Sequence, residues 1–138
     1  MSDAFVDTDV IIRLLTGDDP TKQQAAAALF ERVERGDVQL RAPVTVIAGA
    51  VYVLASKRLY ARDRAEIAEM LSVLVRLPGF RTDNQRTVLR ALELYGGNPV
   101  DFVDALLVAA MEQAEVTDVY TYDRDFARFS RITALLPG

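Results

Sequence analysis

Apolar residues along the chain alternate between short continuous runs and spaced helical faces. Ala4-Phe5-Val6 is a short apolar run that stops at Asp7, which predicts a buried strand delivering a carboxylate into a loop. Residues 10–15 predict a short helix closed by Gly17. Pro20 suits the first turn of a second helix, whose Ala-rich run through Phe30 and Val33 stops at Gly36. Residues 38–42 read as a second strand. From Thr45 to Ala55 the chain is apolar nearly all round, which predicts a buried helix with Thr45 as its N-cap. Residues 63–77 form an ordinary amphipathic helix. Pro78-Gly79 then turns the chain into a minimal strand at Phe80-Arg81, before a helix over residues 84–95 that Gly96-Gly97 ends. Asn98-Pro99 launches a helix over 101–114. Val119-Tyr120-Thr121 is a strand ending at Asp123, and residues 131–135 make the last one.

Short apolar strands alternating with helices predict an α/β fold, a small parallel sheet flanked by helices on both faces. No repeat or linker-like tract divides residues 1–138, so one domain is expected. In such folds ligands bind outside the carboxyl ends of the strands. Asp7 and Asp123 each follow a strand directly, and Asp104 lies one turn into a helix whose amino end can face the same crevice.

Composition narrows the chemistry. Among 138 residues, 51% hydrophobic and 26% charged, there is no cysteine and no histidine. Thiolate nucleophiles, disulfides, Cys/His zinc sites and histidine acid–base catalysis are therefore excluded. An enzyme of this composition has to work through carboxylates, which do so by holding a hard, oxygen-preferring cation. The net charge of −4 argues against non-specific coating of nucleic acid, although all the basic residues except Lys22 and Lys57 are arginine, the better fork for phosphate. Acid concentrates late: Asp101, Asp104, Glu112, Glu115, Asp118, Asp123 and Asp125 have Arg124 as the one basic residue in that stretch. The cluster reads either as a cation site or as a solvated face. The N-terminus lacks a basic start followed by an apolar run, and no segment approaches the ~18 apolar residues of a membrane span. A cytoplasmic location is expected.

Each acidic segment also has a plainer reading. Asp7 or Thr8 can cap the following helix. Asp101 followed three residues on by Asp104 suits a capping role for Asp101, which leaves Asp104 as the better ligand. Asp123 can cap the short helix that Phe126 and Phe129 would dock on the core. Asp7-Thr8-Asp9-Val10 also matches the opening motif of haloacid-dehalogenase-like phosphohydrolases, but their late lysine is missing, because none follows Lys57.

In order and spacing, Phe5-Val6-Asp7-Thr8-Asp9-Val10, the Val51-Tyr52-Val53-Leu54 helix, Asp101-Phe102-Val103-Asp104-Ala105-Leu106-Leu107 and Thr121-Tyr122-Asp123-Arg124-Asp125-Phe126 resemble the PIN-domain ribonucleases, in particular the VapC-type toxins of toxin–antitoxin pairs. The resemblance implies a PIN-like α/β fold and an acidic pocket for Mg2+ or Mn2+. It also implies metal-assisted cleavage of an RNA substrate, a homodimer, and neutralisation by a cognate antitoxin protein. By position Asp7, Asp104 and Asp123 correspond to the family's catalytic and metal-binding acids, with Asp101 and Thr121 in support. The family usually carries a glutamate where this chain has Gly49. Glycine inside a helix costs ~1 kcal/mol relative to alanine, so helix propensity does not explain it. Three accounts stay open: close helix–sheet contact, decay of a natural site, and disarming of a toxin by loss of the acid, selected or engineered. The competing functions are a catalytically silent module that grips an antitoxin or RNA, and, third, the phosphohydrolase.

Overall fold

The computed structural model describes residues 2–138. In chain order the elements are β1 (Ser2–Phe5), α1 (Thr8–Leu15), α2 (Pro20–Glu34), β2 (Val38–Ala42), α3 (Val44–Ala55), α4 (Arg64–Val75), β3 (Phe80–Thr82), α5 (Gln85–Gly97), α6 (Phe102–Ala114), β4 (Asp118–Tyr120), a 3-10 turn (Arg124–Arg128) and β5 (Thr133–Leu135). The α/β class and the parallel strands are those predicted, but Ala4 and Phe5, read as part of a buried strand, are exposed, and only Val6 beyond the end of β1 is buried. Pairing is divided between two sheets: β1, β2 and β3 form one in that order, and β4 pairs with β5 in another.

In the larger sheet the alternation of side chains sorts the two faces. Val38, Leu40, Ala42 and Phe80 are buried in one cluster with Ile11, Ile47, Leu54, Ile67, Leu71 and Leu92 from the helices. The opposite face presents Asp3, Phe5, Arg41 and Arg81, all exposed. Phe5 stands opposite Arg41 and Arg41 opposite Arg81, so these three form one row across the strands.

Two terminations differ from their sequence signals. Thr45 does not cap α3: the helix starts at Val44 with Pro43 at the cap position, φ −58°, and Thr45 lies within the first turn. A proline fixed near that φ enters a helix without strain and has no N–H to leave unpaired. Gly96-Gly97 does not end α5 early. The helix runs through both, and Asn98 Nδ2 donates to Leu94 O at 2.9 Å beyond its end. Gly96 serves packing instead, because a Cβ there would lie 2.8 Å from the Cβ of Ala68 on α4. Shifts of one or two residues at β1, α1, β4 and β5 are the ordinary fraying of element ends.

The approach to α6 is held by Arg64. Its Nη1 lies 3.2, 2.9 and 2.7 Å from the carbonyl oxygens of Tyr95, Asn98 and Val100, and its guanidinium sits 4.5 Å from the Tyr95 ring centroid. One charged group thus ties the loop before α6 to α4. Hydrogen bonds to charged groups contribute ~1.5–3 kcal/mol each when their partner would be left unpaired. Arg64→Met is expected to lower stability by about 2–3 kcal/mol, read as a lower urea midpoint. A midpoint equal to the parent's would mean that the loop holds itself.

Candidate active site

The acids after strands and at helix starts fall into two groups. Asp7 follows β1 through Val6, whose N–H donates to Arg41 O at 3.0 Å and so continues the strand geometry. The Asp7 carboxylate is exposed and accepts from Thr8 N–H at 2.7 Å, which makes Asp7 the N-cap of α1 and starts that helix at Thr8. Thr8 in turn donates its hydroxyl to Val46 O at 3.1 Å, tying the β1–α1 junction to the first turn of α3. One turn further along α3, a Cβ built on Gly49 would meet Thr8 Oγ1 at 3.0 Å and Thr8 Cγ2 at 3.5 Å. Position 49 therefore adjoins the Asp7–Thr8 junction, and the Thr8 side chain fills the space beside it.

The second group forms around Asp104. Asp101 occupies the N-cap position of α6, but its side chain makes no capping bond, so its carboxylate is uncommitted. The capping role predicted for it is thus not the one it plays. Asp104 is half-buried in the first turn, and partial burial, then the charges of Asp123, Asp101 and Asp125, hold its carboxyl above the usual aspartate range. Asp123 Oδ1 accepts from Asp125 N–H at 2.8 Å, and the Asp123 N–H donates to Thr121 Oγ1 at 2.9 Å. Thr121 shapes the turn that carries Asp123. Asp125 joins the group although the motif reading did not select it; its place two residues after Asp123 at a strand end was the available signal.

Among the described residues no three acids are gathered closely enough to chelate one ion. Topology supplies the reason. Asp7 follows a strand of the larger sheet and Asp123 follows a strand of the smaller one, and no β1–β4 ladder holds the two loops side by side. The late acidic run is also less self-repelling than the local sequence suggests. Glu112 accepts from Arg90 of α5 at 2.7 and 3.1 Å, and that guanidinium holds the Glu112 carboxyl below its ordinary range. A cleft of about 810 Å³ at the far end of α6, lined in part by Arg90, Met111, Glu112 and Arg131, takes in none of the candidate acids.

The Thr8–Gly49 contact has a measurable consequence. A Gly→Ala change in a helix gains ~1 kcal/mol of propensity, but here the new methyl crowds Thr8 Oγ1. Gly49→Ala is expected to change stability by less than about 0.5 kcal/mol in the parent and to stabilise by about 1 kcal/mol in a Thr8→Ala background. A double-mutant cycle by urea unfolding checks this. Equal effects in both backgrounds would mean that position 49 does not feel Thr8.

The PIN domain profile matches residues 4–132, and the chain belongs to this family, whose members are nucleases. A crystal structure of the Mycobacterium tuberculosis VapC20 toxin, described as sarcin-ricin loop cleaving, is similar at 17% identity over 91% of this chain and 93% of that one, with a TM-score of 0.40. No curated protein matches the sequence. Among the described residues no helix is long and apolar enough to cross a membrane.

Proposed function

We propose that the chain, acting as one domain over residues 1–138, is a divalent-metal-dependent endoribonuclease of the VapC toxin type, weakened by the glycine at position 49. The observation that carries this reading is the grouping of Asp101, Asp123 and Asp125 about Asp104, whose carboxyl is held above its usual range first by partial burial and then by those charges, and a dication would offset that charge. Mg2+ usually keeps several waters and takes only one or two protein carboxylates. Mn2+ takes the same donors. Asp7, Asp104 and Asp123 would hold the ion, directly or through water, with Asp101 and Thr121 in support. When bound, such a cation lowers the pKa of a coordinated water and offsets charge on the phosphate. The protein's own part is positional: Arg64 holds the start of α6, Thr121 the turn of Asp123, and Thr8 the junction of Asp7.

The toxin assignment rests on the order and spacing of the four segments described above. It brings with it a cytoplasmic location, a cognate antitoxin partner and a homodimer. The exposed Val103 and Leu107 on α6 and Tyr52 on α3 supply apolar surface for such contacts. The second reading, a silent module that grips an antitoxin or RNA, is favoured by Gly49 itself.

The test is cleavage of total RNA and of transfer RNA with Mg2+ or Mn2+, against the same samples with EDTA, beside hydrolysis of a chromogenic phosphate ester. Metal-dependent RNA fragments with an intact ester support the nuclease. Ester hydrolysis alone would move the chain to the phosphohydrolases. Millimolar Mg2+ is also expected to raise the melting temperature, since a ligand held only by the folded state stabilises it by up to about 2.7 kcal/mol at a hundredfold excess over Kd. An unchanged melting temperature at 10 mM (about that order being ample for a weak site) counts against a metal at these acids.

A further inference from the structure

The open face of the larger sheet has a composition that plain solvation does not require. Parallel strands are normally covered on both faces, yet here Phe5 stands 72% exposed at the carboxyl end of β1. Beside it, in register, come the guanidinium groups of Arg41 and Arg81. Strands lie ~4.8 Å apart, so the row spans about 10 Å from ring to far guanidinium.

Both arginines keep donors free. Arg41 binds Asp3 through Nε, at 2.9 and 3.1 Å, and Nη2, at 2.9 Å, which fixes the plane of the guanidinium and leaves Nη1 without a bond among the described residues. Arg81 donates through Nη1 to the carbonyls of Pro78 and Phe80, at 2.7 and 3.0 Å, and pairs with no carboxylate among the described residues. A cleft of about 310 Å³ runs along the row, lined by Phe5, Arg41, Arg81, Thr82 and Asp83 among others. An aromatic face and two part-free guanidinium forks are the groups that stack a base and hold phosphate oxygens.

The row also leads toward Asp7. Val6 is buried and Asp7 exposed, so the extended run past Phe5 puts Asp7 on the same side as Phe5, two residues beyond the end of β1.

We infer that the Phe5–Arg41–Arg81 row is a binding track for single-stranded RNA, with a base stacked on Phe5 and the backbone on the two arginines, leading the strand to Asp7. Naming RNA rests on the nuclease reading, but binding is separable from cleavage. The experiment is fluorescence anisotropy of a labelled single-stranded RNA of about ten nucleotides, within the range such surfaces cover. The full chain is used in EDTA, and cleavage of the same RNA with Mg2+ is read separately. Phe5→Leu is expected to weaken binding about 5- to 10-fold and Phe5→Tyr to retain it, because tyrosine still stacks. Arg81→Gln is expected to weaken binding and to reduce the slope of log affinity against log salt by about 0.7. These side chains are exposed, and equal melting temperatures would exclude misfolding as the cause.

Failure of the parent to bind RNA, or unchanged binding in all three variants, overturns the track, and the latter leaves the row to a protein partner. If the parent cleaves while the variants bind as it does, the nuclease survives and the track does not. If binding follows the row but nothing is cleaved, the track survives and the nuclease does not.

Discussion

Gly49→Glu is expected to raise the rate of metal-dependent RNA cleavage by about a hundredfold or more over the parent chain. Position 49 lies one turn along α3 from Val46, whose carbonyl receives the Thr8 hydroxyl, and a side chain there starts beside Thr8. A carboxylate added at this place extends toward the Asp7 junction, which has no second acid of its own beyond Asp9 on the exposed first turn. A factor of a hundred corresponds to ~2.7 kcal/mol of transition-state stabilisation, within the several kcal/mol that a well-held cation supplies. The cost of fitting the new Cβ is small, because the crowded atom is a side-chain hydroxyl that can rotate away from Val46 O at the loss of about 1 kcal/mol. Initial rates on the same RNA at equal protein concentration check it. A Gly49→Glu chain no faster than the parent would mean that the missing glutamate is not what limits this protein.

Asp104→Asn is expected to move activity and stability in opposite directions. In the Gly49→Glu background it removes the acid at the centre of the carboxylate group, and cleavage should fall about a thousandfold, the scale of losing a few kcal/mol at the reacting centre. Stability at neutral pH should rise. Asp104 has its carboxyl raised above the ordinary value of 3.8, first by partial burial and then by Asp123, Asp101 and Asp125. A carboxyl that binds its proton more tightly in the folded chain than in the unfolded one destabilises the fold when ionised. That penalty is fully present above the raised folded pKa. It is relieved as pH falls from there toward 3.8. Asparagine is neutral throughout, so the variant should melt above the parent at pH 7 and lose that advantage toward pH 4, about the ordinary carboxylate range. Thermal melts across this range check the sign. A lower melting temperature at pH 7 would mean that Asp104 is ionised because something in the fold favours its charge.

What was legible in the sequence is what is local. The apolar runs ending at Asp7 and near Asp123 located strands, and apolar faces, an Ala-rich run for α2 and a run apolar nearly all round for α3 located the six helices, because these signals are written within ten or fifteen residues. Asp104 lies one turn inside α6 as read from sequence, but Asp101, read as the cap of that helix, makes no capping bond. The rest depends on residues far apart in the chain. The Thr8–Val46 bond spans 38 positions, the bond from Arg64 to Val100 36, and the Arg90–Glu112 pair 22, and none leaves a periodic trace. Gly96 carried a misleading signal, since a glycine near a helix end reads as a stop when its use is to let α5 approach Ala68. The division of the strands into two sheets is equally silent in sequence, because strand order is a tertiary choice.

The most direct test compares three chains on total and transfer RNA with Mg2+ or Mn2+: the parent, Gly49→Glu, and Gly49→Glu with Asp7→Asn. A carboxylate-dependent PIN nuclease weakened at position 49 gives rapid cutting by Gly49→Glu, and little or none by the other two. If the parent and Gly49→Glu stay equally inert on every RNA, the chain is a binding module; if the Asp7→Asn chain cuts as fast as Gly49→Glu, the acids named here are not the site.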